Sequence, residues 1–190
     1  MLVLGSTSKY RADLLARLGL PFDTVGPDCD ETPREGEKPR DLVLRLAKNK
    51  AASLKKDHPQ SIIIGSDQVC SLKGQVLGKP GTVECAVKQL RTMRGQSIVF
   101  YTGLSVLNAA SGETRDFIDE TVVLLRDLSD AEIDRYISAE MPLDCAGSFM
   151  VEKLGISLFD RVESNDPTAL IGLPLIALCK GLRHFGIRVP

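Results

Sequence analysis

The sequence predicts an α/β protein with a mixed central sheet flanked by helices. Three observations carry this. Strand-like and helix-like segments alternate through the first half, the run Ile62–Ile64 is apolar without alternation, and two long strand-like segments flank the turn "ASGE". Alternation of short strands with helical patterns argues for layers of helix on sheet. A hairpin added to such layers makes the sheet mixed.

In order along the chain, Leu2 to Gly5 reads as a strand, Tyr10 to Leu18 as a helix, Phe22 to Val25 as extended and Arg40 to Lys55 as a helix. Ile62 to Ile64 follows as a strand covered on both faces. "LKGQVLG", residues 72 to 78, turns at Lys73 and Gly74, and a helix follows from Thr82 to Met93. "SIVFYTGLSVLNA" and "ETRDFIDETVVLLRDL" form the hairpin. "LSDAEIDRYISAEMP" starts a helix at a Ser129 cap with acids in its first turn and stops before Pro142. The last helix runs from Ile176 to His184 and ends at Gly186. The segment "GPDCDETPREGEKP", residues 26 to 39, is a polar loop punctuated by proline.

The 190 residues suit one domain, 1–190, or two lobes sharing a core. A chain this long buries about 70% of its unfolded surface and needs no covalent staples. Twenty-four basic and 25 acidic residues leave a net charge of −1. No global field draws this protein to a nucleic acid polymer or an anionic membrane, so any anion site is local. Five scattered cysteines without a C-x-x-C, and only two histidines, describe a reduced cytoplasmic protein without a zinc site. The opening "MLVLGSTSKYR" is too short of apolar residues for a signal peptide. "ALIGLPLIALC" falls short of the roughly 20 residues a membrane span needs and reads as the start of a buried helix.

Chemistry-bearing residues appear at four places. Gly65, Ser66, Asp67 and Gln68 follow the isoleucine run, at the carboxyl end of a buried strand, where open α/β sheets bind ligands. Asp67 there can take a proton from water or hold a divalent cation, or it can simply cap a turn. In "GSTSKYRADLLARLG" the helix opens on Lys9 and Arg11 with no acid before Asp13. That opposes the helix dipole by about 0.3–1 kcal/mol per residue, and an anion held by Ser6, Ser8 and Arg11 would reverse the sign. A surface helix with untidy charges is the alternative.

Helical phase supplies the third place. Stepping about 100° per residue from Val43 puts Leu46, Ala47, Lys50 and Leu54 within about 60° of it, so Lys50 lies in the apolar stripe. Such a lysine meets an acid or anion, or snorkels to solvent. Arg45 and Lys48 lie off the stripe and read as solvated charges. Finally, "GKP" presents Lys79 on a stiff extended segment, and "DCDET" presents Asp30 and Glu31 on the polar loop. Acids at 31 and 67 with bases at 11, 50 and 79 suit a polyphosphate with its metal ion.

These segments together resemble the Maf, or septum-formation inhibitor, family of nucleotide pyrophosphatases. "LGSTSKYRADLLARLGL", "DET", "RLAKNKA", "GSDQV" and "GKP" carry the likeness, and "CAGSFMVEKLGISLF" and "DPTALIGLPL" extend it. The chain departs from the usual opening motif in having Lys9 for a proline and Tyr10–Arg11 for paired arginines. The resemblance implies an inosine-triphosphate-pyrophosphatase-like fold with a cleft between two lobes, and hydrolysis of a nucleoside triphosphate between the α and β phosphorus atoms. It implies Asp67 as proton acceptor, Glu31 and Asp67 as holders of Mg2+ or Mn2+, and Ser6, Ser8, Arg11, Lys50 and Lys79 as phosphate contacts. A homodimer is a further expectation of the family. Tyr10, Gln68 and Glu152 stand where the pyrimidine branch tends to show arginine, threonine and glutamine, so the trio resembles the branch acting on 7-methyl-GTP. A carboxylate at 152 can accept both N–H donors of a guanine edge, and an aromatic face at 10 suits a positively charged methylated base. Without the resemblance, Tyr10 reads as a helix-surface aromatic and Glu152 as a solvated strand residue. Other expectations of the same likeness are a nucleotide-binding regulator of septum formation, or a pyrophosphatase for dTTP or UTP.

Overall fold

The computed structural model describes all residues 1–190. Its order is β1 (Leu2–Gly5), α1 (Lys9–Ala16), β2 (Asp23–Val25), α2 (Pro39–Ser53), β3 (Ile62–Leu72), β4 (Gln75–Leu77), α3 (Val83–Met93), β5 (Ser97–Asn108), β6 (Thr114–Leu125), α4 (Asp130–Glu140), β7 (Phe159–Glu163) and α5 (Leu175–His184). The strands hydrogen-bond in the order β2-β1-β3-β5-β6-β7, with β4 on β3. β1 is parallel to both β2 and β3, whereas β4 and β7 are antiparallel to their neighbours. The sheet is therefore mixed, as the sequence predicts. The residues fall into two compact units, Met1–Gln68 with Thr102–Asp119 and Asp166–Pro190, and Val69–Tyr101 with Glu120–Asn165.

In the first unit the sheet carries apolar packing on both faces, which explains the unbroken isoleucine run. Leu2, Leu4 and Ile64 pack with Leu14, Leu15, Leu178 and Leu182, residues of α1 and α5. Val3 and Ile63 pack instead with Ala51 and Leu54. α2 opens with Pro39 at its first turn, where a missing N–H costs nothing, and buries Leu42, Val43, Leu46, Ala47, Lys50 and Ala51. This is the face that the helical phase predicts. α2 also sits directly on the sheet. A Cβ on Gly65 would collide with the Ala47 carbonyl oxygen and come within 2.7 Å of the Ala51 nitrogen, and one on Gly103 would collide with the Val43 carbonyl. Glycine at 65 is thus a condition for helix and strand to touch.

In the second unit β3 turns into β4 through Lys73 and Gly74, both at positive φ (52° and 83°), a pairing suited to a two-residue hairpin. Thr82 caps α3 by accepting from the Cys85 nitrogen at 3.2 Å. Ser129 caps α4 in a full capping box with Glu132. The core gathers Phe100, Phe149 and Phe159, with successive ring centroids 5.3 and 4.7 Å apart.

Two expectations about the sheet need correction. The strand does not end at Ile64: it continues through Gly65, Ser66, Asp67 and Gln68 to Leu72. Asp67 is therefore an in-strand residue, neither at a strand end nor capping a turn. Glu152 does not lie on a strand but in an exposed turn that precedes the 3-10 segment Leu154–Leu158.

Candidate active site

The first unit assembles its polar groups around Lys50. The approach of α2 to Gly65 settles the local geometry: Ala47 and Ala51 rest against that glycine, so the side chain of Lys50, between them, runs toward Asp67, two residues further on the same strand face. Lys50 Nζ donates to Asp67 Oδ1 at 2.6 Å and to Glu31 Oε2 at 3.0 Å. Lys50 and Asp67 are 6% and 7% exposed, whereas the Glu31 side chain is 56% exposed. The buried lysine therefore meets an acid instead of snorkelling, and a second acid arrives from the solvent side.

Glu31 is brought there by an anchor that the sequence conceals. Arg45 on α2 forms a bidentate pair with Glu37, Nε to Oε1 at 2.6 Å and Nη2 to Oε2 at 2.7 Å, and also donates to the Thr32 carbonyl at 3.1 Å. Arg45 is thus no solvated charge: it clamps the acidic loop, one residue past Glu31, to the helix that carries Lys50. The Arg45 fork and the Arg34 amide hold the Glu37 carboxyl down at about 2. Lys48 pairs with Asp116 at 2.9 Å and remains half in solvent.

The start of α1 forms the second part. Ser6, 5% exposed, accepts from the Ser8 nitrogen at 3.1 Å and from Arg11 Nη1 at 3.4 Å, and Ser8 caps the helix at the Arg11 nitrogen. No acid stands in the first turn of α1. Arg11 Nε donates to the Gly172 carbonyl at 2.9 Å, which fixes the guanidinium and leaves its outer N–H groups for an anion. Burial lowers the Arg11 guanidinium from its ordinary value, and the Asp67 and Glu31 carboxylates oppose that shift. The group stays charged at neutral pH. Its electrostatic coupling to both acids joins the α1 cluster to the Lys50 cluster. Tyr10, next to Arg11, is half-buried. Cys29, on the acidic loop, has its thiol pushed up by burial first and then by Glu31.

A third part has no assigned role in the sequence reading. The loop from Asp166 to Gly172, the "DPTALIG" stretch, offers its carbonyls to three side chains, Arg11, Ser66 and Gln68. Gly172 O, from a residue at φ 120°, receives Arg11 and lies 3.0 Å from Ser66 Oγ. The carbonyls of Ala169 and Leu170 accept from Gln68 Nε2 at 2.8 and 3.1 Å. The loop is closed on α5 by Asp166, 3% exposed, which accepts from the nitrogens of Thr168 at 3.0 Å and Ile176 at 2.6 Å. Because Gln68 spends its amide donors on this loop, its carbonyl oxygen is the group it can offer a ligand. Only the unusual Gly-x-Pro interruption of an apolar run signals the loop in the sequence, since acceptance by main-chain carbonyls leaves no residue-type signature.

The structure thus brings Ser6, Ser8, Arg11, Glu31, Lys50, Asp67 and Gln68 into one unit. Lys79 and Glu152 belong to the second unit, where both are exposed. Oxygen donors from Glu31 and Asp67 are the set a hard divalent cation takes, one or two carboxylates completed by phosphate oxygens, so the residues fit Mg2+ or Mn2+.

Residues 1–185 match the Maf family, described as Maf-like protein, and the chain belongs to that family. Its relatives include proteins named 7-methyl-GTP pyrophosphatase. The one from Vibrio vulnificus is 53% identical over 188 residues, spanning 99% of this chain and 96% of the relative. Those from Aromatoleum aromaticum and Cupriavidus metallidurans are 52% identical over 189 and 185 residues, spanning 100% and 97% of this chain and 97% and 93% of theirs. Among solved structures, the Staphylococcus aureus Ham1 protein superposes on 66% of this chain and 72% of its own at a TM-score of 0.47 and 16% identity.

Proposed function

We propose that this protein hydrolyses 7-methyl-GTP to the monophosphate and pyrophosphate, removing a modified nucleotide from the cytoplasmic pool. The observation that carries this reading is the Lys50 ammonium held between Asp67 and Glu31 in the unit that also orders Ser6, Ser8 and Arg11. The relatives at 52–53% identity over nearly the whole chain supply the substrate. No helix is long and apolar enough to cross a membrane, which is compatible with action on a soluble nucleotide.

Attack of water on the α phosphorus breaks the bond to the bridging oxygen, and pyrophosphate leaves. Asp67 takes the proton of that water, and Lys50 at 2.6 Å orients the carboxylate and balances its charge. Arg11, fixed through Gly172, and the hydroxyls of Ser6 and Ser8 grip phosphate oxygens, with Lys79 as a further cation. Glu31 and Asp67 would hold a divalent ion, which when bound would supply charge withdrawal from the phosphates. Gln68, Tyr10 and Glu152 read the base, Glu152 by accepting the guanine N–H donors. Little covalent chemistry is asked of the protein, so positioning and charge account for most of the rate.

The test is pyrophosphate release from a nucleotide panel, with and without divalent metal, by the wild type, Asp67→Asn and Glu152→Gln. Turnover is expected to be fastest on 7-methyl-GTP, to vanish with chelator, and to fall by about a hundredfold or more in Asp67→Asn. In Glu152→Gln the preference for guanine bases should shrink. Tight nucleotide binding without turnover in the wild type would support a regulatory protein instead, and faster turnover of dTTP or UTP would move it to the pyrimidine branch. Light scattering of the same preparation checks the expected homodimer.

A further inference from the structure

Ser148 is fully buried and has φ +60°, a left-handed conformation that non-glycine residues adopt only at a cost. It follows Gly147, at φ 74°, where a Cβ would press to 3.0 Å from the Phe100 ring and 3.1 Å from Cys70 Sγ. Two successive left-handed residues against that core send the Ser148 hydroxyl to Gln89 on α3, donating to Oε1 at 2.6 Å. The other end of the same amide donates from Nε2 to the Gly78 carbonyl at 3.0 Å. The orientation is determined by chemistry: the reversed amide would set an oxygen against the Gly78 carbonyl. Three residues on, the Gly81 nitrogen donates to the Leu143 carbonyl at 3.0 Å, and Pro80 between them is buried. Lys79 therefore stands on a two-residue span tied at both ends, and Pro80 keeps its backbone extended.

We propose that Gln89 and Ser148 are positioning residues for Lys79: the strained serine orients the glutamine amide, and the amide fixes the carbonyl immediately before the lysine. This rests on the reading of Lys79 as a phosphate contact. It also gives a role to the "CAGSF" stretch, which the mechanism leaves unused, and explains why a buried residue beside Gly147, itself packed on Phe100 and Phe149, holds a hydroxyl in a costly conformation.

The experiment is a double-mutant cycle on 7-methyl-GTP hydrolysis, with Gly81 amide exchange followed in the same variants. Gln89→Leu removes the hydrogen bonds, and Gln89→Glu keeps the acceptor for Ser148 but loses the donor to Gly78, so one near-isosteric variant remains if the other folds poorly. Each is expected to lower kcat/KM by about tenfold and to speed Gly81 exchange, with Ser148→Ala giving a smaller change in the same direction. In a Lys79→Met background the Gln89 substitutions should cost little more. An equal loss in both backgrounds, or no loss, would overturn the proposal. Wild-type turnover by Lys79→Met would instead remove the phosphate role of Lys79; faster Gly81 exchange in the Gln89 variants would then mark the anchored loop as purely structural.

Discussion

Lys50 shows how one residue ties stability to chemistry. A lysine on the apolar stripe of a helix needs a partner, and the sequence says so through phase alone; the partner proves to be Asp67, itself nearly buried. Asp67 was legible as an acid beside a buried strand, though its place inside the strand was not, because "GSDQ" reads as polar and so hides the four strand residues beyond it, Val69 to Leu72. Removing one member of such a pair strands the other without its counter-charge. Lys50→Met should therefore lower unfolding stability by about 3 kcal/mol in urea titration, and the same change in an Asp67→Asn background should cost less than half of that. Equal costs in the two backgrounds would mean that the pair does not couple, and that Lys50 owes its burial to packing of its stem.

At the scale of elements, the functional unit in this part of the chain is α2 with the loop before it. Arg45, read as solvated, is where sequence reasoning failed most: its partner Glu37 lies in an irregular loop, and no periodicity links a helix position to a loop residue. Its pair with Glu37 leads to a prediction for acid. Glu37 is held at about 2 in the folded chain, against an ordinary value of 4.5, so between those values the unfolded chain binds more protons. The stability this group contributes is fully present above about pH 4.5 and is lost as the pH falls through about 2. Glu132, held at about 2 chiefly by the Ser129 backbone N–H and hydroxyl with Arg126 behind them, adds to the same limb. In Glu37→Gln the loss of stability between pH 4.5 and 2, measured by denaturant unfolding at successive pH values, should shrink, leaving the share due to Glu132 and the other lowered carboxyls, Asp30 and Glu84. An unchanged acid limb would show that the clamp does not persist in solution.

For the molecule as a whole, the order of elements was legible from alternation, caps and the two-residue turn, because each of these is local. What was not legible is non-local: the continuation of β3 from one compact unit into the other, and the carbonyls of 169–172 that hold Arg11 and Gln68. Charge is the one global property that the sequence gives completely, and at −1 it supplies no long-range pull on a triphosphate. On the proposed reading, attraction comes at contact distance from Arg11 and Lys50, both largely out of water, where salt screens weakly. Proteins that steer ligands by a global field gain ten- to a thousandfold in association rate and lose it steeply with salt. Here kcat/KM for 7-methyl-GTP at saturating metal should change by less than about threefold between about 0.05 and 0.5 M KCl, over which the screening length falls from roughly 14 to 4 Å. A tenfold or steeper decline would mean that cations beyond the site guide the nucleotide in, and that the near-zero net charge conceals an uneven surface field.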